Sequence, residues 1–142
     1  MRIEELSIGD WVNQKMNDGA YQVQWIEREM VGLIKHTGTE EDGSIRLTAV
    51  PLSFIEPIPL TTEILEKNGF VRGEYSEIRV YNEWEIGEWS DPPYASVRLD
   101  IDRQVIRVTN RGRDMFIAEK EVYVHQLQHA LRLAGVGKEI EL

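Results

Sequence analysis

The sequence predicts an α+β protein, with an N-terminal SH3-like small β-barrel followed by an antiparallel sheet packed by a C-terminal helix. Three observations predict it. Segments 61–68 and 124–134 each carry a complete set of helix start and stop signals. About five short strand patterns crowd into residues 1–56. Between the two helices, apolar and polar residues alternate with period two. Together they divide the chain into a β-barrel module over 1–58 and an α+β module over 59–142.

In the first module, Gly9 and Asp10 supply turn chemistry ahead of Trp11 and Val12, so a strand opens there. Asn17-Asp18-Gly19 reads as the next turn, and Tyr21, Val23 and Trp25 then share one parity and one expected face. Met30 to Lys35 reads as a further strand. After the glycine-bearing acidic loop 36–43, Ile45, Leu47 and Ala49 alternate again, which fits a hairpin. Phe54-Ile55-Glu56 gives a short fifth strand before Pro57 and Pro59, whose missing N–H groups make them poor ladder members. So many short strands favour a closed or nearly closed barrel, because closure removes the edges a small sheet otherwise exposes.

Thr61 is the expected N-cap of the connecting helix, with Glu63 in its first turn and Leu60 and Leu65 placed as a hydrophobic staple. Gly69 is placed to end it in a left-handed conformation, with Phe70 folding back toward Leu65. Downstream, Ile78, Val80, Trp84 and Ile86 share one parity, as do Val97 and Leu99 and then Ile106 and Val108. Arg98, Asp100 and Arg107 take the other. With a loop over 87–93 and a turn at Asp102-Arg103-Gln104, three strands form an antiparallel meander. Asn110 to Asp114 breaks the sheet, and Met115 to Ala118 is a candidate last strand. Val124, Leu127, Ala130, Leu131 and Ala134 recur at spacings of three and four, so the final helix lays one apolar stripe on the meander and ends at Gly135. Residues 138–142 suggest a short edge strand.

Composition narrows the function classes. With 42% hydrophobic and 29% charged residues the 142-residue chain has the make-up of a globular domain. Cysteine is absent, which removes disulfides, thiolate nucleophiles and cysteine metal sites. No run approaches the roughly 18 apolar residues of a membrane span, and the acids near the start do not suit a signal peptide, so the expected compartment is the cytoplasm. The net charge of −9 opposes a polyanion at long range. Residues 1–60 carry 5 basic and 10 acidic side chains and the remainder 11 and 15, so neither part is basic.

Several side chains are candidates for function. His125 and His129, four apart on one helix, have metal-pinching spacing, but Gln126 stands where a zincin helix carries its glutamate base. No metal and no cofactor is expected. Trp89 and Tyr94 lie in the loop beside Pro92 and Pro93, where exposed aromatics suit recognition of a partner. Arg98, Arg103, Arg107, Arg111 and Arg113 cluster with Asp100, Asp102 and Asp114. Arg98 and Arg107 on adjacent strands would make an anion patch, or pair with Asp100, Glu83 and Glu85. Glycine-rich phosphate loops and nucleophile elbows are missing, so no catalytic residue is expected.

Ile8-Gly9-Asp10-Trp11-Val12, Ile55-Glu56-Pro57-Ile58-Pro59-Leu60-Thr61, Ile64-Leu65-Glu66-Lys67-Asn68-Gly69-Phe70 and Val124-His125-Gln126-Leu127-Gln128 resemble an uncharacterised family of small proteins from gut anaerobes and their prophages or mobile elements. The resemblance implies an accessory role in a mobile element and supplies no catalytic residue. The expectation is therefore a non-enzymatic binding or assembly protein. It would hold a protein partner, or a second copy of itself, through Trp89, Tyr94, Arg98 and Arg107. The alternative is a nucleic-acid accessory factor using the arginine cluster.

Overall fold

The computed structural model describes residues 1–35, 47–72, 83–88, 95–100, 102–110, 113–118 and 121–142. It is an α+β protein built from antiparallel strands, and it divides into two compact units, Met1–Ile58 and Pro59–Leu142.

The first unit holds β1 (Trp11–Gln14), β2 (Asn17–Glu27), β3 (Met30–Lys35), β4 (Leu47–Pro51) and β5 (Ile55–Pro57), with a 3-10 turn over Leu52–Phe54. They form one sheet in the order β4-β3-β2-β1-β5. Entry to β1 is fixed by Asp10. Its backbone N–H donates to the Ser7 carbonyl and its carboxylate accepts the Ser7 N–H at 2.8 Å, while Gly9 adopts φ +90°. Leu6, Val12, Tyr21, Val23, Val31, Leu33, Val50 and Ile55 form the core of this unit.

Three expectations need correction here. The β1–β2 turn falls at Lys15 and Met16, because Gln14 pairs with Asn17. Asn17-Asp18-Gly19 is instead the irregular start of β2, with Gly19 at φ +110°. Trp25 does not share a face with Val23. The register slips between them, so Val23 faces Leu33 while Trp25 faces Gly32, and the extra residue turns Trp25 to the opposite side. Its indole then lies flat on Gly32, where an added Cβ would fall 2.1 Å from Trp25 Nε1. Finally, no closed barrel forms: among the described residues β4 and β5 do not pair. Both end in proline, which withdraws donors where a closing ladder would need them.

The second unit begins with α1 (Thr62–Lys67) and β6 (Val71–Arg72), continues through β7 (Glu83–Glu88), β8 (Ala95–Asp100), β9 (Val105–Asn110) and β10 (Arg113–Ala118), and ends with α2 (Val124–Ala134). The sheet order is β10-β9-β8-β7-β6. Thr61 Oγ1 caps α1 by accepting the Ile64 N–H at 3.3 Å. Both helices end alike. The Phe70 N–H reaches the Leu65 carbonyl past Gly69 at φ +79°, and the Val136 N–H reaches the Leu131 carbonyl past Gly135 at φ +75°. The α2 stripe packs on β8 and β9, where Val97, Leu99, Ile106 and Val108 are fully buried. Each such side chain contributes roughly 1.5–3 kcal/mol by leaving water. Asn110 does not break the sheet but closes a β9–β10 hairpin opposite Arg113. Ile78 and Val80 lie outside the described residues, while Trp84 and Ile86 stand in register with Leu99 and Val97.

Residues 138–142 form no strand. Asn68, at the end of α1 and 1% exposed, holds them instead. Its Nδ2 donates to the carbonyls of Ile64 (2.8 Å) and Glu141 (2.7 Å), and its Oδ1 accepts the Glu141 N–H at 2.8 Å. Nearby, Ile140 is buried. Replacing Asn68 with alanine removes both hydrogen bonds to Glu141, while the Ile64 carbonyl keeps the Asn68 backbone N–H, so a loss of about 1–3 kcal/mol in urea unfolding is expected. The isosteric Asn68→Asp should recover none of it, because a carboxylate oxygen would meet two carbonyl oxygens. Wild-type stability in either variant would show that the clamp does not hold the tail.

Candidate binding surface

The β8–β9 hairpin positions the central pair of candidates. Its turn is locked by Asp100, whose Oδ1 accepts the Arg103 N–H at 3.0 Å and whose Oδ2 lies 3.6 Å from Arg103 Nε, and by Gln104 at φ +55°. With the turn fixed, the register is fixed. Val97 meets Val108 and Leu99 meets Ile106 beneath α2, while Arg98 meets Arg107 on the face turned away from that helix.

Arg98 and Arg107 therefore stand directly opposite one another, both half-buried. Like charges so placed destabilise a sheet, by the same few tenths to about 1 kcal/mol that an opposite pair would supply. Both side chains have contacts within the chain. Across the ladder the register runs Glu85, Arg98, Arg107, Phe116, and the neighbouring row runs Glu83, Asp100, Val105, Ala118. Asp100, a candidate partner for Arg98, is engaged by Arg103. Arg113 opens β10 and is exposed, whereas Arg111, Trp89 and Tyr94 lie outside the described residues.

The two histidines lie apart from this face, on α2. His125 is 3% exposed, stacks on Tyr123 with centroids 5.9 Å apart, and meets the edge of His129 at 6.0 Å. His36, the third imidazole, lies outside the described residues. Among those residues no group of three or more histidines and acids is placed to hold a metal ion.

One feature of this unit had no signal in the sequence. Pro59 and Tyr123, far apart in the chain, form a β-bridge, and beside it lies a cleft of about 440 Å³ lined by Leu60, Leu99, Gln104, Glu121 and Val122. Gln104 Oε1 accepts the Val122 N–H at 2.6 Å, and Tyr123 donates its hydroxyl to the Glu121 carboxylate. Among the described residues Glu121 is the only carboxylate lining the cleft, and no histidine lines it. Isolated bridges between distant segments leave no periodicity to read, which is why the cleft was invisible. No family model, no curated protein and no solved structure matches the chain.

The Glu121 hydrogen bond raises the Tyr123 phenol above its ordinary range, because ionising it would set two negative charges together. A raised acid is held in its neutral form by the fold. This contribution is present at neutral pH and fades as pH climbs past the usual phenol value through the folded one. Glu121→Gln is expected to lower the Tyr123 titration toward the ordinary phenol value, read from the ring Cζ resonance. An unmoved titration would remove Glu121 as the cause.

Proposed function

We propose that this protein is a non-enzymatic binding or assembly protein of the cytoplasm, holding a protein partner on the β8–β9 face that carries Arg98 and Arg107. The observation behind this reading is the direct opposition of those two arginines at the centre of the sheet. Hiding the hydrophobic core under α2 does not call for an arginine at either position. A partner carboxylate between two arginine forks would add charge-assisted hydrogen bonds to the contacts that both side chains make within the chain. The four sequence islands, from Ile8-Gly9-Asp10-Trp11-Val12 to Val124-His125-Gln126-Leu127-Gln128, support a mobile-element accessory as its setting. Strand order β4-β3-β2-β1-β5, with a 3-10 turn between β4 and β5, supports an SH3-like roll, left open, as the first unit.

The nucleic-acid alternative is weaker on the same face. Asp100 stands two residues from Arg98 on the same strand face and would oppose a phosphate there, and the net charge of −9 adds long-range repulsion. In-cell cross-linking of wild type and Arg98→Ala plus Arg107→Ala separates the readings. The double variant is expected to keep its unfolding free energy within about 1 kcal/mol of wild type and to lose a cross-linked protein. An unchanged set of cross-links would remove this face from the proposal. Low-salt anisotropy with labelled single- and double-stranded oligonucleotides is expected to show no binding. Binding abolished by the double variant would instead establish the nucleic-acid function.

A further inference from the structure

Among the described residues the two sheets have four edges, and three carry features that discourage a further strand. β5 has three residues and ends in Pro57, β6 has two residues, and β10 begins with the charged pair Arg113 and Asp114. Short strands, prolines and charges are the usual devices that stop an edge from adding another strand. β4 is different. Leu47, Thr48, Ala49, Val50 and Pro51 carry no charge, and no charged residue follows until Glu56. Among the described residues nothing pairs with its outer side.

Backbone bookkeeping shows which groups face that side. Glu27 pairs with Met30 across the two-residue turn of Arg28 and Glu29, and the Glu29 carbonyl accepts the Leu52 N–H at 2.7 Å. Residues 29, 31 and 33 therefore address β4, and the register gives Val31 to Val50 and Leu33 to Thr48. Leu47, Ala49 and Pro51 point their backbone groups outward, and only Pro51 lacks a donor. The side chains agree with an unfinished surface. Leu47 is 51% exposed and Met30 37%, and Ala49 and Pro51 are exposed on the same face as Gly32 and Ile34.

We propose that β4 is a self-association edge, pairing antiparallel with β4 of a second copy about a two-fold axis at Ala49. Ala49 then exchanges both backbone hydrogen bonds with Ala49 of the partner subunit. Each Leu47 N–H donates to Pro51 of the partner subunit, giving about four bonds in all. The proline falls where only a carbonyl is required. A second copy is the fitting occupant because the strand complements itself. It also offers two molecules of charge −9 a meeting line on which no acids oppose.

The test is sedimentation equilibrium on the full chain from micromolar to millimolar concentration, at low and at moderate salt. A monomer–dimer equilibrium is expected that tightens with salt, since screening relieves repulsion between the copies. Ala49→Lys, exposed and tolerable to the fold, sets two cations at the axis and should weaken the dimer by at least tenfold without moving the urea midpoint. Arg98→Ala plus Arg107→Ala should leave the dimer intact, so failure here and failure of the partner-binding face are separate results. Amide exchange supplies a second readout: Leu47 and Ala49 should become protected only as concentration rises. A chain that stays monomeric at millimolar concentration, a dimer indifferent to Ala49→Lys, or protection independent of concentration would each overturn the proposal. So would a foreign strand in place of the second copy, seen as protection appearing only on addition of another protein.

Discussion

The second unit depends on the register of one hairpin. Side chains alternate faces with a period of two residues, so the pairing of β8 with β9 decides at once what is buried and what is shown. A slip of one residue on either strand would move its two apolar residues out from beneath α2 and bring an arginine into their place. The cost would be several kcal/mol for each strand's pair of apolar side chains, and more for a charge forced into the core. Asp100 prevents this by gripping the backbone and guanidinium of Arg103, which leaves the turn one way to close. The hydrophobic contacts and the arginine pair are thus one decision. No local rearrangement separates Arg98 from Arg107 while keeping Val97 on Val108.

In the first unit the alternation is interrupted on purpose. The irregularity ahead of Trp25 moves a large aromatic from the core side to the far side of β2, where Gly32 leaves space for its indole against the backbone. Without the shift, Trp25 would compete for volume with Val23 and Leu33 in an interior already filled by branched side chains. The consequence is a sheet with apolar residues on both faces. An antiparallel sheet ordinarily spends polar residues on its wet side. Here Met30, Ile34, Leu47 and Ala49 occupy positions that water would assign to charged groups, which is the same property that leaves β4 bare.

What the sequence disclosed follows from how local each signal is. Thr61, Gly69 and Gly135 marked helix ends because caps are satisfied within one turn, and the Phe70 and Val136 hydrogen bonds lie where those glycines imply. The strand parities of Val97, Leu99, Ile106 and Val108 were equally readable, as burial imposes period two. Trp25 was misread because one extra residue in a strand leaves no trace in an alternation window. Asn17-Asp18-Gly19 has turn composition, yet the chain reverses earlier and uses Gly19 for an irregular strand entry instead. The opposition of Arg98 and Arg107 was implicit in the turn at Asp102-Arg103-Gln104, but it emerges only when residues are counted outward from that turn. Asn68 and the Pro59–Tyr123 bridge were illegible, since each joins segments more than sixty residues apart through groups that most residues carry.

The acids fit this picture better as fasteners than as a field. Asp10 holds the Ser7 turn, Asp100 holds the Arg103 turn, Glu5 closes on Arg2, and Glu121 takes the Tyr123 hydroxyl. Each acts within three residues, where the entropy of bringing donor and acceptor together is smallest. The Arg2 contacts draw Glu5 below its ordinary range, and the first turn of α1 does the same for Glu63, in keeping with anions favoured at helix starts. Acidic side chains used this way accumulate net charge as a by-product of tying turns, so −9 need not describe a preference for a cationic ligand. Charge then matters where it is withheld or doubled: β4 has none, and the centre of the β8–β9 face sets two positive charges side by side. Both departures lie away from the helix ends and turns where charge does structural work, so neither is explained by the local fastening that accounts for these acids.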